Sequence, residues 1–288
     1  MGKRTHLIII DPQNDFCDLP SAYLPQLAGR TVTPALPVAG SHADMLRVAS
    51  IISLGGAGLT DISVTLDAHH RVDIAHPPFW EKDDGSDVPP FTQIFAEDVR
   101  AGIYVPRIPQ AAGRVIGYLD ALEASGRYVH MVWPVHCEIG SWGQSVHEDV
   151  RLAYNEWEVS RAVNVSKILK GTNPWTEHYS AVQAEIPDPA DNTTQTNREF
   201  LERLHCSDRI YIVGEAGSHC VKATVEHVAE NFNDKEIDKL VLVADCMSPV
   251  TGFEPQYIKF MEDMRERGVQ ISDSAAVIDE LIANASGG

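Results

Sequence analysis

Six side chains that could do chemistry lie just past the apolar segments that the sequence predicts to be strands. They are Asp11, Asp67, His69, His136, Lys170 and Cys220. The carboxyl ends of parallel strands meet at one edge of an open α/β sheet, and that edge is where ligands bind. The sequence therefore predicts that these six residues converge on one site.

Cys220 is the candidate nucleophile. It follows the apolar run 210–213 and a turn that contains Gly214 and Gly217, and it stands where the next helix is predicted to begin. The unpaired N–H groups of a first helical turn favour a thiolate and can hold an oxyanion. On position alone, a buried structural thiol is the alternative.

A thiol nucleophile needs a proton acceptor and a positive field. Asp11, after a buried strand, could accept the proton, and Lys170 could support the thiolate. The backbone N–H groups of Ala216 and Cys220 could form an oxyanion hole. Taken singly, Asp11 could instead be a turn former before proline, and Lys170 a solvated lysine at a strand end.

A second group has the composition of a metal site. Asp67 and His69 are two residues apart at a strand end, and His136 could add a second imidazole from a neighbouring strand end. Two imidazoles and one carboxylate suit a divalent metal, with Zn²⁺ expected first and Fe²⁺ or Mn²⁺ as alternatives. His70 and His76 lie nearby; each could be a fourth ligand or a group behind the ligands, but a solvated side chain is the favoured interpretation.

The elements that must position these residues alternate between strands and helices. Strands are predicted at 7–10, 62–66, 128–132, 165–169, 210–213, 240–244 and 269–271, and helices at 41–54, 111–123, 147–162, 197–205, from 220, 254–267 and 274–285. The uniformly apolar strands indicate burial on both faces. The pattern predicts an α/β fold with a doubly wound, Rossmann-like open sheet, mostly parallel, of about six strands with helices on both faces.

Residues 1–288 are expected to form a single domain with enlarged loops near 17–40 and 71–110. The first loop is rich in proline, alanine and leucine without a period. Residues 71–106 are too irregular for a core element, so this loop is predicted to carry function or an interface.

Composition limits the class of partner. The net charge of −18 argues against nucleic acid and against an anionic membrane surface, so a small-molecule substrate is expected. Five widely spaced cysteines favour reduced thiols, and the short apolar run 7–10 is no signal or membrane segment. We expect a cytoplasmic protein that forms a homo-oligomer.

Several blocks of the sequence resemble one family. Ile9-Ile10-Asp11-Pro-Gln-Asn-Asp-Phe16-Cys resembles the opening strand and acid of the isochorismatase-like cysteine hydrolases, and Asp67-Ala-His69 resembles their Asp-Trp-His metal pair. Trp133-Pro-Val-His136-Cys, Lys170-Gly-Thr-Asn-Pro and Gly214-Glu-Ala-Gly-Ser-His-Cys220-Val resemble the third-ligand, catalytic-lysine and nucleophile blocks. Within that superfamily the chain is most similar to the nicotinamidases, across nearly its whole length.

The resemblance implies a role for each matched residue. Asp11, Lys170 and Cys220 correspond to the catalytic set, and Asp67, His69 and His136 correspond to the metal ligands. Phe16 and Trp133 correspond to rings that sandwich an aromatic substrate, and the bond between Glu215 and Ala216 corresponds to a cis peptide. Gly217 and Ser218 stand where the family has Thr and Asp, and Ala68 stands where it has an aromatic residue.

The function implied by this resemblance is hydrolysis of nicotinamide to nicotinate and ammonia through a cysteine thioester. Another amide, ureido or carbamoyl hydrolase of the same superfamily is an alternative that needs no metal. A non-catalytic relative that binds a metal or ligand is the second alternative.

Overall fold

The centre of the fold is a six-stranded sheet in a computed structural model that describes residues 2–287. The strands are β1 (Thr5–Ile10), β2 (Gln26–Leu27), β3 (Arg30–Thr31), β4 (Asp61–Asp67), β5 (Trp80–Lys82), β6 (Thr92–Gln93), β7 (Tyr104–Pro106), β8 (Met131–Val132), β9 (Ser166–Lys170), β10 (Arg209–Gly214), β11 (Leu240–Val243) and β12 (Gln270–Ser272). The sheet has the order β12-β11-β10-β1-β4-β9, and every neighbouring pair is parallel.

Helices cover both faces of this sheet. They are α1 (Ser41–Gly55), α2 (Ala96–Arg100), α3 (Ala112–Ser125), α4 (Glu148–Arg161), α5 (Arg198–His205), α6 (Cys220–Asn231), α7 (Asp234–Ile237), α8 (Glu254–Glu266) and α9 (Ser274–Ser286). Side chains alternate along β1, so Leu7 and Ile9 pack with α1, α4 and α9, whereas Ile8 and Ile10 pack with α5, α6 and α8. The predicted doubly wound α/β fold is confirmed.

The strand order places the reversal of winding between β1 and β10. From β1 the chain builds outward through β4 to β9, and it then returns to pair β10 with the other side of β1. Ligands bind outside the carboxyl ends of strands at such a switch point. Ile10 is in register with Gly214, and Asp67 with Lys170, so these strand ends lie at one edge.

The prediction that residues 71–106 contain no core element is wrong. This segment forms β5, β6, α2 and β7, and its apolar side chains build a third buried cluster with α3. Trp80 is fully buried there and donates a hydrogen bond from Nε1 to the Ile74 carbonyl, 2.7 Å away. Its short elements pair locally, and their apolar residues lack the long period that sequence reasoning depends on.

The predicted strand at 128–132 is also wrong in extent and partner. Only Met131–Val132 is a strand, and it pairs antiparallel with Thr92–Gln93 outside the central sheet. The strand that pairs with β4 on the side away from β1 is β9. A short apolar run indicates a strand but does not specify its partner.

No helix within residues 2–287 is long and apolar enough to cross a membrane.

Candidate active site

The nucleophile candidate Cys220 begins α6, directly after the turn that follows β10. The turn is tied to the sheet by a hydrogen bond from the Glu215 N–H to the Ile10 carbonyl, 2.8 Å long. The Glu215–Ala216 peptide bond is cis, in agreement with the resemblance. Cys220 is buried, so its sulfur faces groups brought in by the neighbouring strands.

The structure brings Asp11 and Lys170 to this sulfur. Lys170 Nζ lies 2.8 Å from Asp11 Oδ2 and 3.5 Å from Cys220 Sγ. Thr65 donates a 2.6 Å hydrogen bond from Oγ1 to Asp11 Oδ1, and Asp67 Oδ1 lies 3.2 Å from Lys170 Nζ. One ammonium group therefore bridges two buried carboxylates and the thiol.

Burial and the charges of neighbouring groups shift the pKa values of Cys220, Asp11 and Lys170. Burial raises the pKa of the Cys220 thiol well above its usual value, although Lys170 opposes this shift. Burial also raises the pKa of Asp11 against the lowering effect of Lys170, while Asp11 and Asp67 together hold the pKa of Lys170 well above normal despite burial. Before a substrate arrives, the favoured form is thus a protonated thiol beside an Asp11 able to take its proton.

The two amides predicted to hold an oxyanion are free to do so. Among residues 2–287, neither the Ala216 N–H nor the Cys220 N–H donates a hydrogen bond within the protein. The Ala216 carbonyl is engaged, because it accepts from the His219 and Val221 N–H groups. The turn is therefore fixed through other groups while the Ala216 and Cys220 N–H donors remain available.

Asp67, His69 and His136 also converge. Asp67 Oδ2 lies 3.2 Å from His69 Nε2 and 3.5 Å from His136 Nε2. His76 joins them: the ring nitrogens of His69, His76 and His136 lie within 4.8 Å of one another. The solvated interpretation of His76 is wrong, because its side chain is fully buried, whereas His70 is exposed.

These residues fit a divalent metal ion. Each of the three imidazoles has Nδ1 near an acceptor: the Asp73 carboxylate for His69 (3.2 Å), the His70 carbonyl for His76 (3.2 Å) and the Pro134 carbonyl for His136 (2.9 Å). Metal-binding histidines use their second nitrogen in this way, which leaves Nε2 of His69 and His136 as ligand atoms; His76 Nε2 lies 3.2 Å from His136 Nδ1. In addition, the buried His69 Nε2 has no hydrogen-bond partner within residues 2–287.

Sequence reasoning missed the residues that support the candidate ligands and acid. Thr65 was overlooked because a threonine inside a buried strand carries no motif, although it lies two residues before Asp67 and shares its face. Asp73 follows His69 by four residues in a loop, so no periodic pattern relates the two.

Gly171 touches the candidate metal site and provides a test. A Cβ at this position would lie 2.8 Å from Asp67 Oδ1 and 3.3 Å from His69 Cε1, and its φ of +83° disfavours other residues. If these residues hold a metal ion such as zinc, we expect Gly171→Ala to lower the content of that metal, and we expect it to lower the melting temperature. Gly85→Ala is the control, because Gly85 has a φ of +78° and a Cβ at this position would have no atom within 4 Å. This substitution therefore carries only the backbone cost of about 1–2 kcal/mol. Equal losses of stability and unchanged zinc content in both variants would contradict this description of Gly171.

The residues matched to a substrate sandwich are both buried near Cys220. Phe16 packs edge-on against His136, with ring centroids 5.4 Å apart. Trp133 donates from Nε1 to the Tyr179 hydroxyl at 3.0 Å and lies edge-on to His219. Phe16 therefore borders the candidate metal ligands, and Trp133 borders the turn that carries Cys220.

Known proteins share this architecture. A nicotinamidase of Saccharomyces cerevisiae is 27% identical over 144 residues, which cover 50% of this chain and 59% of that protein. The solved structure of the yeast nicotinamidase matches 93% of this chain and 99% of its own, with a TM-score of 0.61 and 20% identity. The chain has a nicotinamidase-like fold.

Other nicotinamidase-like structures extend the match. An Acinetobacter baumanii nicotinamidase and pyrazinamidase aligns over 96% of this chain and 98% of its own, with a TM-score of 0.60 and 18% identity. A Pyrococcus horikoshii pyrazinamidase in complex with zinc aligns over 94% and 99%, with a TM-score of 0.51 and 20% identity. No family model matches the chain. These proteins are of the family that the sequence motifs resemble.

Proposed function

We propose that this protein is a cysteine-dependent amidohydrolase that converts nicotinamide to nicotinate and ammonia. The observation that carries the proposal is the meeting of Asp11, Lys170 and Cys220, with Lys170 Nζ in contact with both other groups. The yeast relative that aligns with half of this chain at 27% identity is a nicotinamidase, which supports the choice of amide.

The first half of the proposed reaction forms a thioester. Asp11 takes the thiol proton, and Cys220 Sγ attacks the carboxamide carbon. The Ala216 and Cys220 N–H groups hold the resulting oxyanion, and Lys170 keeps the buried negative charge compensated. Asp11 then returns the proton to the departing nitrogen, so ammonia leaves and the acyl group stays on sulfur.

The second half reverses these roles. Asp11 accepts a proton from a water molecule, the resulting hydroxide attacks the thioester carbon, and the Cys220 thiol is regenerated when nicotinate leaves. The raised pKa of Asp11, caused by burial, suits a group that must accept and return a proton in each half. Thr65 holds one Asp11 oxygen, which leaves the other to face Lys170 and the sulfur.

We further propose that Asp67, His69, His76 and His136 hold a divalent metal ion, with Zn²⁺ preferred for three imidazoles and one carboxylate. The Pyrococcus horikoshii pyrazinamidase was solved in complex with zinc, which supports this choice. When bound, the metal would supply a Lewis acid that binds a pyridine nitrogen and orients the ring. Phe16 and Trp133 would stack on that ring.

A second candidate is a hydrolase of a larger amide. A cavity of about 490 Å³ lies beside Trp133, and Tyr128, Tyr179, His219 and Phe253 contribute its aromatic lining. An amide that carries an additional flat group could occupy this cavity while its carbonyl reaches Cys220.

An ammonia-release assay separates the two candidates. We expect nicotinamide and pyrazinamide to be hydrolysed and aliphatic amides to react poorly, because only a heteroaromatic ring gains stacking and a metal contact. Dialysis against a chelator should lower nicotinamide hydrolysis, and added Zn²⁺ should restore it. Preference for a bulkier aryl amide or a carbamoyl compound, with activity unaffected by the chelator, would instead support the larger-amide hydrolase.

A further inference from the structure

Glu215 is a buried acid that the proposed mechanism does not use. It lies in the turn before Cys220, immediately before Ala216, and its side chain is 0% exposed. Within residues 2–287 no lysine or arginine forms an ion pair with it, and Oε1 has no hydrogen-bond donor. A buried carboxylate without a cation is costly, so this side chain favours the protonated form.

The neighbour of Glu215 is a second acid. Asp44, on α1, lies within hydrogen-bonding reach of the Glu215 side chain. Ser248 contacts both: its N–H donates to Glu215 Oε2 at 3.2 Å, and its Oγ donates to Asp44 Oδ2 at 2.6 Å. Two carboxyl groups can hydrogen-bond only when one carries a proton, so the pair shares one.

The pair formed by Glu215 and Asp44 is connected to the turn that contains the free N–H groups of Ala216 and Cys220. The Gly217 N–H donates to the Ser248 carbonyl at 2.8 Å, and the Val250 N–H donates to Ser218 Oγ at 3.0 Å. Together with Asp44, these contacts anchor the turn to α1 and to the segment after β11.

Building on the proposed function, we propose that Glu215 is a positioning residue whose protonated side chain hydrogen-bonds to Asp44 and so holds the Ala216 and Cys220 amides where the oxyanion forms. Glu215 touches no reacting atom. It acts through the turn, so its loss should lower kcat rather than substrate binding.

The groups that face the pair determine its response to pH. They are Asp44 and Arg47 on α1, Cys17 and Asp18 after β1, Tyr257 on α8, and Asp245 and Cys246 after β11. Burial, then the negative charge of Asp44, raises the pKa of Glu215 well above its usual value. A pKa raised by folding means that the stabilisation is complete at acid pH and is lost as the pH rises through the folded-state value.

Two substitutions with opposite expected effects test the proposal. Glu215→Gln keeps a donor to Asp44 but cannot ionise, so its kcat for nicotinamide should not fall on the alkaline side where the wild-type kcat falls. Asp44→Asn removes the neighbouring charge and the shared proton, so the alkaline fall in kcat should begin at a lower pH. KM should change less than about twofold in either variant. Glu199→Gln, an exposed position on α5, is the control and should follow the wild type.

Thermal unfolding gives a readout that needs no activity. The melting temperature of Glu215→Gln minus that of the wild type should increase as the pH rises, because only the wild type loses the hydrogen bond. The proposal is overturned if kcat of Glu215→Gln falls at alkaline pH as it does in the wild type. It is also overturned if the difference between the two melting temperatures does not change with pH. If Glu215→Gln does not fold, the direction of the Asp44→Asn shift decides. If no variant hydrolyses an amide, the proposed function fails, and the melting series still decides whether the hydrogen bond exists.

Discussion

Replacing Cys220 by alanine is expected to lower kcat for nicotinamide by roughly 10³-fold or more, the scale on which loss of a nucleophile acts in other hydrolases. The physical reason is that, among the cysteines of residues 2–287, Cys220 is the one whose sulfur contacts Lys170 Nζ. Cys220 Sγ lies 3.5 Å from Lys170 Nζ and within 4.8 Å of an Asp11 carboxylate oxygen, so it is a thiol with an adjacent base and cation. Initial rates of ammonia release at saturating nicotinamide measure the effect.

The matched control is Cys206→Ala, which removes an exposed free thiol outside the site. It should retain the wild-type rate. A Cys220→Ala variant that keeps its fold by circular dichroism and still hydrolyses nicotinamide within about tenfold of the wild type would show that the nucleophile is not this sulfur, because loss of a true nucleophile is far larger.

The burial of Cys220 and its proximity to Asp11 also determine how it reacts with alkylating agents. An exposed thiol titrates near its ordinary pKa, but burial raises that of Cys220 well above the usual value. Reactivity in the free protein therefore depends on transfer of its proton to Asp11 rather than on a standing thiolate. This differs from a cysteine activated by a helix N-terminus alone, which would be largely ionised near neutral pH.

The sheet could be predicted from the sequence because its strands are buried on both faces. The run Leu7 to Ile10 is apolar at every position, since α1 covers one face of the sheet and α6 the other. The candidate residues Asp11 and Cys220 could be placed at this edge for the same reason, because each comes after a buried strand, whereas Lys170 ends β9, whose residues are partly exposed. The pairing of Met131–Val132 with Thr92–Gln93 could not be predicted, because two-residue strands have no period and their partner is fixed only by tertiary packing.

The departures from the family motif in the nucleophile turn have a structural reason. A Cβ at Gly217 would lie 2.6 Å from Cε2 of Tyr257, so the tyrosine ring occupies the space that a threonine needs. At Ser218 the hydroxyl instead accepts the Val250 N–H and contacts His219 Nδ1 at 2.9 Å. Only the structure relates Tyr257 to Gly217, because the two residues are far apart in the sequence.

Two neighbouring histidines offer the sharpest test of the metal site. His76→Ala is expected to weaken Zn²⁺ binding by about 100-fold or more, since even residues that only support a ligand cost 10- to 100-fold. His76 is buried, and its ring centroid lies 4.9 Å from that of His69 and 5.1 Å from that of His136. Competition with a chromogenic chelator measures the affinity, and metal analysis of the purified protein measures the content.

His70→Ala is the matched control, because His70 is exposed and supports the cluster only through its backbone carbonyl, which accepts from His76 Nδ1. Its side chain can be removed without disturbing that contact, so zinc affinity should stay within about twofold of the wild type. Equal losses of zinc affinity in the two variants would mean that residues 70–76 affect the site through their folding as a unit, and not because His76 binds the metal. Unchanged affinity in both would leave Asp67, His69 and His136 as the complete set, which is the facial arrangement that the sequence alone predicts.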